Sequence, residues 1–344
     1  YLKEKLIIFR SILIAMKSQI KPVSILGGIF FVIFLLLTPL GLFNDSIPNT
    51  GQTGYYSVTQ IDEGDDTGYY IYLRSAFFDG DIDFLNENKY VHVERFNSTG
   101  YVFNNWQIGQ SVLFFPFFLM GHLIAILLNN FGYSFSIDGY SSPYYMATAI
   151  AAQTYIFIGL LLLYKTLTKY FSQASAVITT IGIWLGTPLI YYSFIRQRMA
   201  QGTEFLFSII FITVWLKFRN SRNIYDHALV GLFFGLLCSI RMINILYLSV
   251  YIIDQVVIWF KNNQRGKYFK LHLTEIIFFS FFSVLALVPQ FLVWNQLDGA
   301  LLDYINRVMN IIAGQSSSSS SLTLFGDKLF QLFFGLKWSL ALTT

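Results

Sequence analysis

Two adjacent carboxylates, Asp65 and Asp66, open the stretch Asp65-Asp66-Thr67-Gly68-Tyr69-Tyr70, in a 344-residue chain of which only 12% is charged. Eight acids crowd between residues 62 and 87, the others being Asp62, Glu63, Asp79, Asp81, Asp83 and Glu87. A carboxylate at the edge of an apolar medium can take the proton from a hydroxyl nucleophile. The plainer alternative makes Asp66 a helix N-cap and leaves the other acids as solvated loop residues. Asp79-Gly80-Asp81-Ile82-Asp83 alternates carboxylates as calcium loops do, but it lacks the glycine of the sixth position and has Tyr90 at the twelfth. His92-Val93-Glu94 offers two further metal-binding groups from a strand-like segment.

Arg241 is the matching cation. It interrupts an apolar run, between Gly231-Leu232-Phe233-Phe234-Gly235 and Ile245-Leu246-Tyr247-Leu248, where a charge is costly and marks a functional site. A guanidinium binds phosphate bidentately; the alternative is snorkelling to lipid headgroups. Arg196 and Arg198, at a span end, are candidates of the same kind, and Glu204 reads as a cap on the following span.

The elements that must position these groups are membrane helices. The chain is 55% hydrophobic and 19% aromatic, with repeated runs near the length that crosses a bilayer, so the fold class is an all-α polytopic membrane protein. Residues 1–22 form a basic amphipathic segment on the cytoplasmic face and 23–43 the first transmembrane helix. A long polar outer loop, 44–109, carries the acids, with Tyr69, Tyr72, Leu73, Ala76 and Phe77 forming one face of a helix on the membrane surface. A helical bundle occupies 110–344, with runs at 110–129, 144–164, 175–194, 200–216, 227–260, 272–293 and 322–342 and an outer loop at 294–325. The chain starts at Tyr1 and stops inside the apolar stretch Phe333–Leu340, so a longer protein with elements beyond Thr344 is expected.

Charge decides the topology. Counting every run as one span places Lys217, Arg219 and Arg222 outside, against the positive-inside rule. The conflict is removed if 110–129 lies along or dips into the outer leaflet and 227–260 is two short helices turning back near Arg241. Fourteen of the 23 basic residues then face the cytoplasm. Asp65, Asp66, Arg196, Arg198, Glu204 and Arg241 then share the outer face. A net charge of +4 without a basic patch excludes nucleic acid as a partner, and the single cysteine, Cys238, excludes an intrachain disulfide.

With these motifs in view, the chain resembles the GT-C class of membrane glycosyltransferases, especially bacterial relatives of the protein-O-mannosyltransferase and aminoarabinose-transferase group. Asp65-Asp66-Thr67-Gly68-Tyr69 is similar to the acidic-pair motif that precedes a membrane-parallel helix in that class. Phe78–Asn86, Asn105–Gly109 before Phe115-Pro116-Phe117, Gly186–Tyr191, the Gly231…Gly235…Arg241 run, Pro289-Gln290 before Trp294, and Gly335–Ser339 extend the likeness. The resemblance implies a GT-C-like bundle with membrane-parallel helices in its first outer loop, in a bacterial cytoplasmic membrane with the site facing outward. It implies a polyprenyl-phosphate sugar donor and a protein, lipid or glycan acceptor. Asp65 would be the base, assisted by Asp66. Arg241, with Arg196 and Arg198, would hold the donor phosphate, and a divalent ion (Mg, Mn, Ca or Zn) would sit on Asp66 and Glu94. Many relatives carry His or Asp in the loop after the Tyr191 motif, where this chain has Met199-Ala200-Gln201-Gly202. A non-catalytic GT-C-like subunit is therefore one alternative and a lipid-carrier transporter another.

Overall fold

The computed structural model describes residues 22–35, 61, 64–87, 99–102, 104–221, 223–261 and 265–299. The basic segment before Pro22, the metal candidate Glu94, and the 322–342 run lie outside the described residues. The described residues fall into two compact units, one of residues up to 92 with Asn104–Gln290, the other of 93–103 with the chain from Phe291 onward. All regular structure among them is helical. Four helices are long and apolar enough to cross a membrane: Gly109–Asn130, Ser142–Leu167, Ala200–Phe218 and Leu273–Leu297.

The first helix, α1 (Pro22–Leu35), places Phe30 against Phe157, Trp184 and Phe194, with centroids 4.9, 5.2 and 5.4 Å away. α2 (Asp65–Arg74) runs into a wider π-helical turn, Ser75–Asp79, closed by Gly80 at φ 74°. α3 is Gly109–Asn130, α4 is Ser142–Leu167 and α5 is Gln173–Leu185. The 175–194 run, expected as one span, is broken: Pro188 has no N–H for the ladder and restricts Thr187 before it. A separate short helix, α6 (Leu189–Phe194), follows, and Trp184 Nε1 donates to Ser193 Oγ across the break (3.1 Å).

α7 (Ala200–Phe218) runs parallel to α4, with Gly202 against Ile156 and Gly159 against Phe205. α8 (Ile224–Ile240) returns antiparallel to α7, Phe234 meeting Phe211 at 5.7 Å. The 227–260 run then splits where its lone arginine predicts. Arg241 is extended, a 3-10 turn spans Met242–Tyr247, and α9 (Leu248–Lys261) folds back to set Tyr251 beside His227. The last described helix, α10 (Arg265–Asp298), lies parallel to α8.

The contact between α8 and α10 explains two glycines. A Cβ on Gly231 would stand 2.1 Å from the carbonyl oxygen of Phe279, and one on Gly235 2.2 Å from that of Ser283. Small residues four apart let two apolar helices approach backbone to backbone. Gly231→Ala must push α10 away, because a carbonyl cannot rotate aside. We expect a loss of about 2 kcal/mol, read as a lower thermal midpoint in detergent; an unchanged midpoint would refute this packing.

α2 was expected on a surface with one apolar face, yet every residue from Asp66 to Leu73 is buried. The polar side is covered as well as the apolar one. A Cβ on Gly68 would overlap the Trp106 ring at 2.1 Å, Phe84 packs edge-on to Tyr72 (5.0 Å), and Tyr70 lies against Phe118 and Tyr145. α2 also joins both flanks of α3. Ser111 Oγ donates to Tyr69 O (2.5 Å), while Arg74 Nε donates to Asp138 O (3.2 Å) and the Tyr70 hydroxyl to Gly139 O.

Candidate active site

Asp65 and Asp66 occupy the first turn of α2, where carboxylates are favoured by the free N–H groups of a helix start. Gly64, not Asp66, is the N-cap residue, and its successors point to different surroundings. Asp66 is 1% exposed and faces Arg198 Nε at 3.9 Å. Arg198 is equally buried, donates from Nη1 to Tyr145 O (3.0 Å) and lies over the Tyr145 ring, 5.8 Å from its centroid. Its own carbonyl accepts from Gln110 Nε2 at 2.6 Å. The cavity beside Asp66 and Arg198 measures about 10 Å³, the scale of one water and far below that of a sugar.

Asp65 lies on the accessible side. It acts electrostatically on Tyr69, whose hydroxyl is pushed well above the ordinary phenol range by burial, pulled down by Arg241, and pushed up again by Asp65, Glu204 and Asp66. Four charged groups from α2, α7 and the α8–α9 break therefore act on one hydroxyl. Arg241 Nη1 donates to Glu204 Oε2 at 2.8 Å, and the two side chains are 37% and 18% exposed. Tyr192 of α6 also lies within electrostatic reach of Arg241. Glu204 is not the cap it was expected to be: Met199 holds the N-cap position, and Glu204 stands one turn inside α7 as the partner of Arg241.

Of the three arginines read as phosphate ligands, Arg241 alone combines exposure with the Asp65 neighbourhood. Arg198 is committed to the interior. Arg196 follows α6, with its amide donating to Tyr191 O (3.0 Å), and is half-buried. Asp66, expected to help hold a divalent ion, has a guanidinium 3.9 Å from its Oδ2. Among the described residues no group of three or more His, Cys, Asp or Glu side chains converges as a metal site. The alternating acids after α2 also diverge. Asp79 pairs with Arg74, Asp81 accepts from Ser75 Oγ (2.9 Å), and Asp83 accepts from Leu85 N (2.9 Å).

Beside this site an apolar recess of about 180 Å³ opens between α2 and the start of α3, lined by Tyr72, Leu73, Ala76, Ile108, Val112 and Phe115. Ile108 is pinned there by its N–H, which donates to Gln290 Oε1 at 2.8 Å.

Glu87 is a group that the acid count included but whose partner it could not name. It is fully buried and accepts from Arg74 Nη1 at 2.6 Å, while the same nitrogen serves Asp79. Burial pushes its carboxyl up to about 7, with Arg74 opposing and Asp79 reinforcing the rise. A raised acid binds its proton more tightly in the folded state, so stability falls as pH rises from about 4.5 to about 7 and is level above. We expect Glu87→Gln to abolish that slope and to gain about 2 kcal/mol at pH 8, allowing for water near the site. Thermal midpoints of both proteins across pH 5–8 test this, and parallel profiles would refute it.

Comparison of the chain with protein-family models, curated proteins and solved structures gives no match.

Proposed function

We propose that this chain is a glycosyltransferase of GT-C type, moving a sugar from a polyprenyl-phosphate donor to a hydroxyl acceptor at the outer membrane face. The observation that carries the reading is the part-exposed Arg241, paired with Glu204, within electrostatic reach of the same buried Tyr69 hydroxyl as the half-buried Asp65. The acceptor oxygen attacks the anomeric carbon while Asp65 takes its proton. The bond from that carbon to the phosphate oxygen breaks, its electron pair stays with the phosphate, and the configuration inverts. Arg241 offsets the charge that develops on the leaving phosphate, the electrostatic contribution such reactions depend on most. The apolar recess beside Tyr72 and Val112 suits the first part of an isoprenoid chain.

A second reading, a non-catalytic subunit with this architecture, is favoured by one observation: Glu204 already neutralises Arg241. Membranes containing the full chain, supplied with a panel of polyprenyl-phosphate sugars, separate the two. Release of polyprenyl phosphate from one donor supports transfer. No release from any of them, at normal folded yield, favours the subunit.

A further inference from the structure

We infer that Glu204 is a positioning residue that holds the donor phosphate's place on Arg241 and surrenders it when the phosphate binds. This rests on the lipid-phosphate reading above and adds the exchange by which the site loads and clears. Arg241 sits in extended backbone (φ −151°, ψ 124°) directly after the last turn of α8, where the helix carbonyls favour a cation. Its guanidinium is part-exposed, and Glu204 takes it through one oxygen at 2.8 Å. A one-point contact at a part-exposed pair is weak and, among the described residues, is the side-chain bond shown for this guanidinium, whereas a phosphate engages two donors at once.

The charge balance makes the two anions rivals. Asp65 and Glu204 both act on the Tyr69 hydroxyl that Arg241 also reaches, so the neighbourhood already carries more acid than base without a ligand. A phosphate added with Glu204 still on Arg241 would meet two carboxylates and a neutralised cation. With Glu204 displaced, it meets an uncompensated guanidinium. After transfer, the returning carboxylate helps to expel polyprenyl phosphate, so the same contact that weakens binding speeds release. The buried pair Asp66–Arg198 has no such freedom, being 1% and 2% exposed.

The test is equilibrium binding of polyprenyl phosphate to the full chain in lipid nanodiscs, comparing wild type, Glu204→Gln, Glu204→Ala, Arg241→Gln and the Glu204→Gln/Arg241→Gln double variant. We expect both Glu204 variants to bind roughly two- to fivefold more tightly, the scale of one lost competing ion pair. Arg241→Gln should bind far more weakly, and the double variant should match it. A residue that merely stabilised the fold would weaken binding when changed, so tightening is the distinguishing result. Unchanged or weaker binding by both Glu204 variants, with wild type binding normally, overturns the exchange and leaves the transferase reading standing. Absence of binding by wild type and by both Glu204 variants overturns the two together.

Discussion

Asp65→Asn will lower sugar transfer by about 10²- to 10⁴-fold while leaving the protein folded and the affinity for polyprenyl phosphate within a few-fold of wild type. That range is what a positioned general base contributes. Asn keeps the size and the helix-start geometry of Asp65 and removes only the capacity to accept a proton. The side chain is part-exposed, so the change should not disturb packing. The measurement is initial rate of polyprenyl phosphate release from the active donor, beside the binding constant for the product. A rate within threefold of wild type would exclude Asp65 as the base. A joint collapse of rate and folded yield would instead assign it a structural role. The contrast with its neighbour is sharp, since Asp66→Asn touches a buried pair and should reduce folded yield first.

The sequence made part of this legible for physical reasons. A lone arginine in an apolar run is so costly that it had to lie at a chain break, and α8 does end at Arg241. Basic residues distribute by side of the membrane, so counting them put the acidic stretch and Arg241 on one face as an expectation; in the fold Asp65 and Arg241 both act electrostatically on Tyr69. What was not legible depended on contacts distant in sequence. Glu204 and Arg241 are 37 residues apart, and only the antiparallel register of α7 and α8 brings them together. Local amphipathicity suggested an open surface for α2 because it carries no information about Trp106 or Phe84, which cover its other side. The break between α5 and α6 had a readable signal in Gly186-Thr187-Pro188, which the apolar composition of 175–194 outweighed. Arg198 looked like Arg241 because burial depth at a span end is set by neighbouring helices, not by the residue's own segment.

That difference in depth yields the second large effect. Arg198→Met and Asp66→Leu should each cost about 3–5 kcal/mol, because either change takes the opposite charge away from a buried ion. Combined, they should cost much less than the sum. The double variant removes both charges, and an apolar pair of similar volume suits a site beside a cavity of about 10 Å³. Recovery should stay incomplete, since Tyr145 O loses the donor it has in Arg198 Nη1. Thermal midpoints and folded yields of the four proteins in detergent form the cycle. A coupling of about 2 kcal/mol or more would establish Asp66 and Arg198 as a strut that holds α2 against the loop before α7, with Asp65 thereby aimed toward Arg241. Strict additivity would mean that the two side chains act independently at 3.9 Å, and α2 would then owe its position to its other contacts, among them Trp106, Ser111 and Gly139.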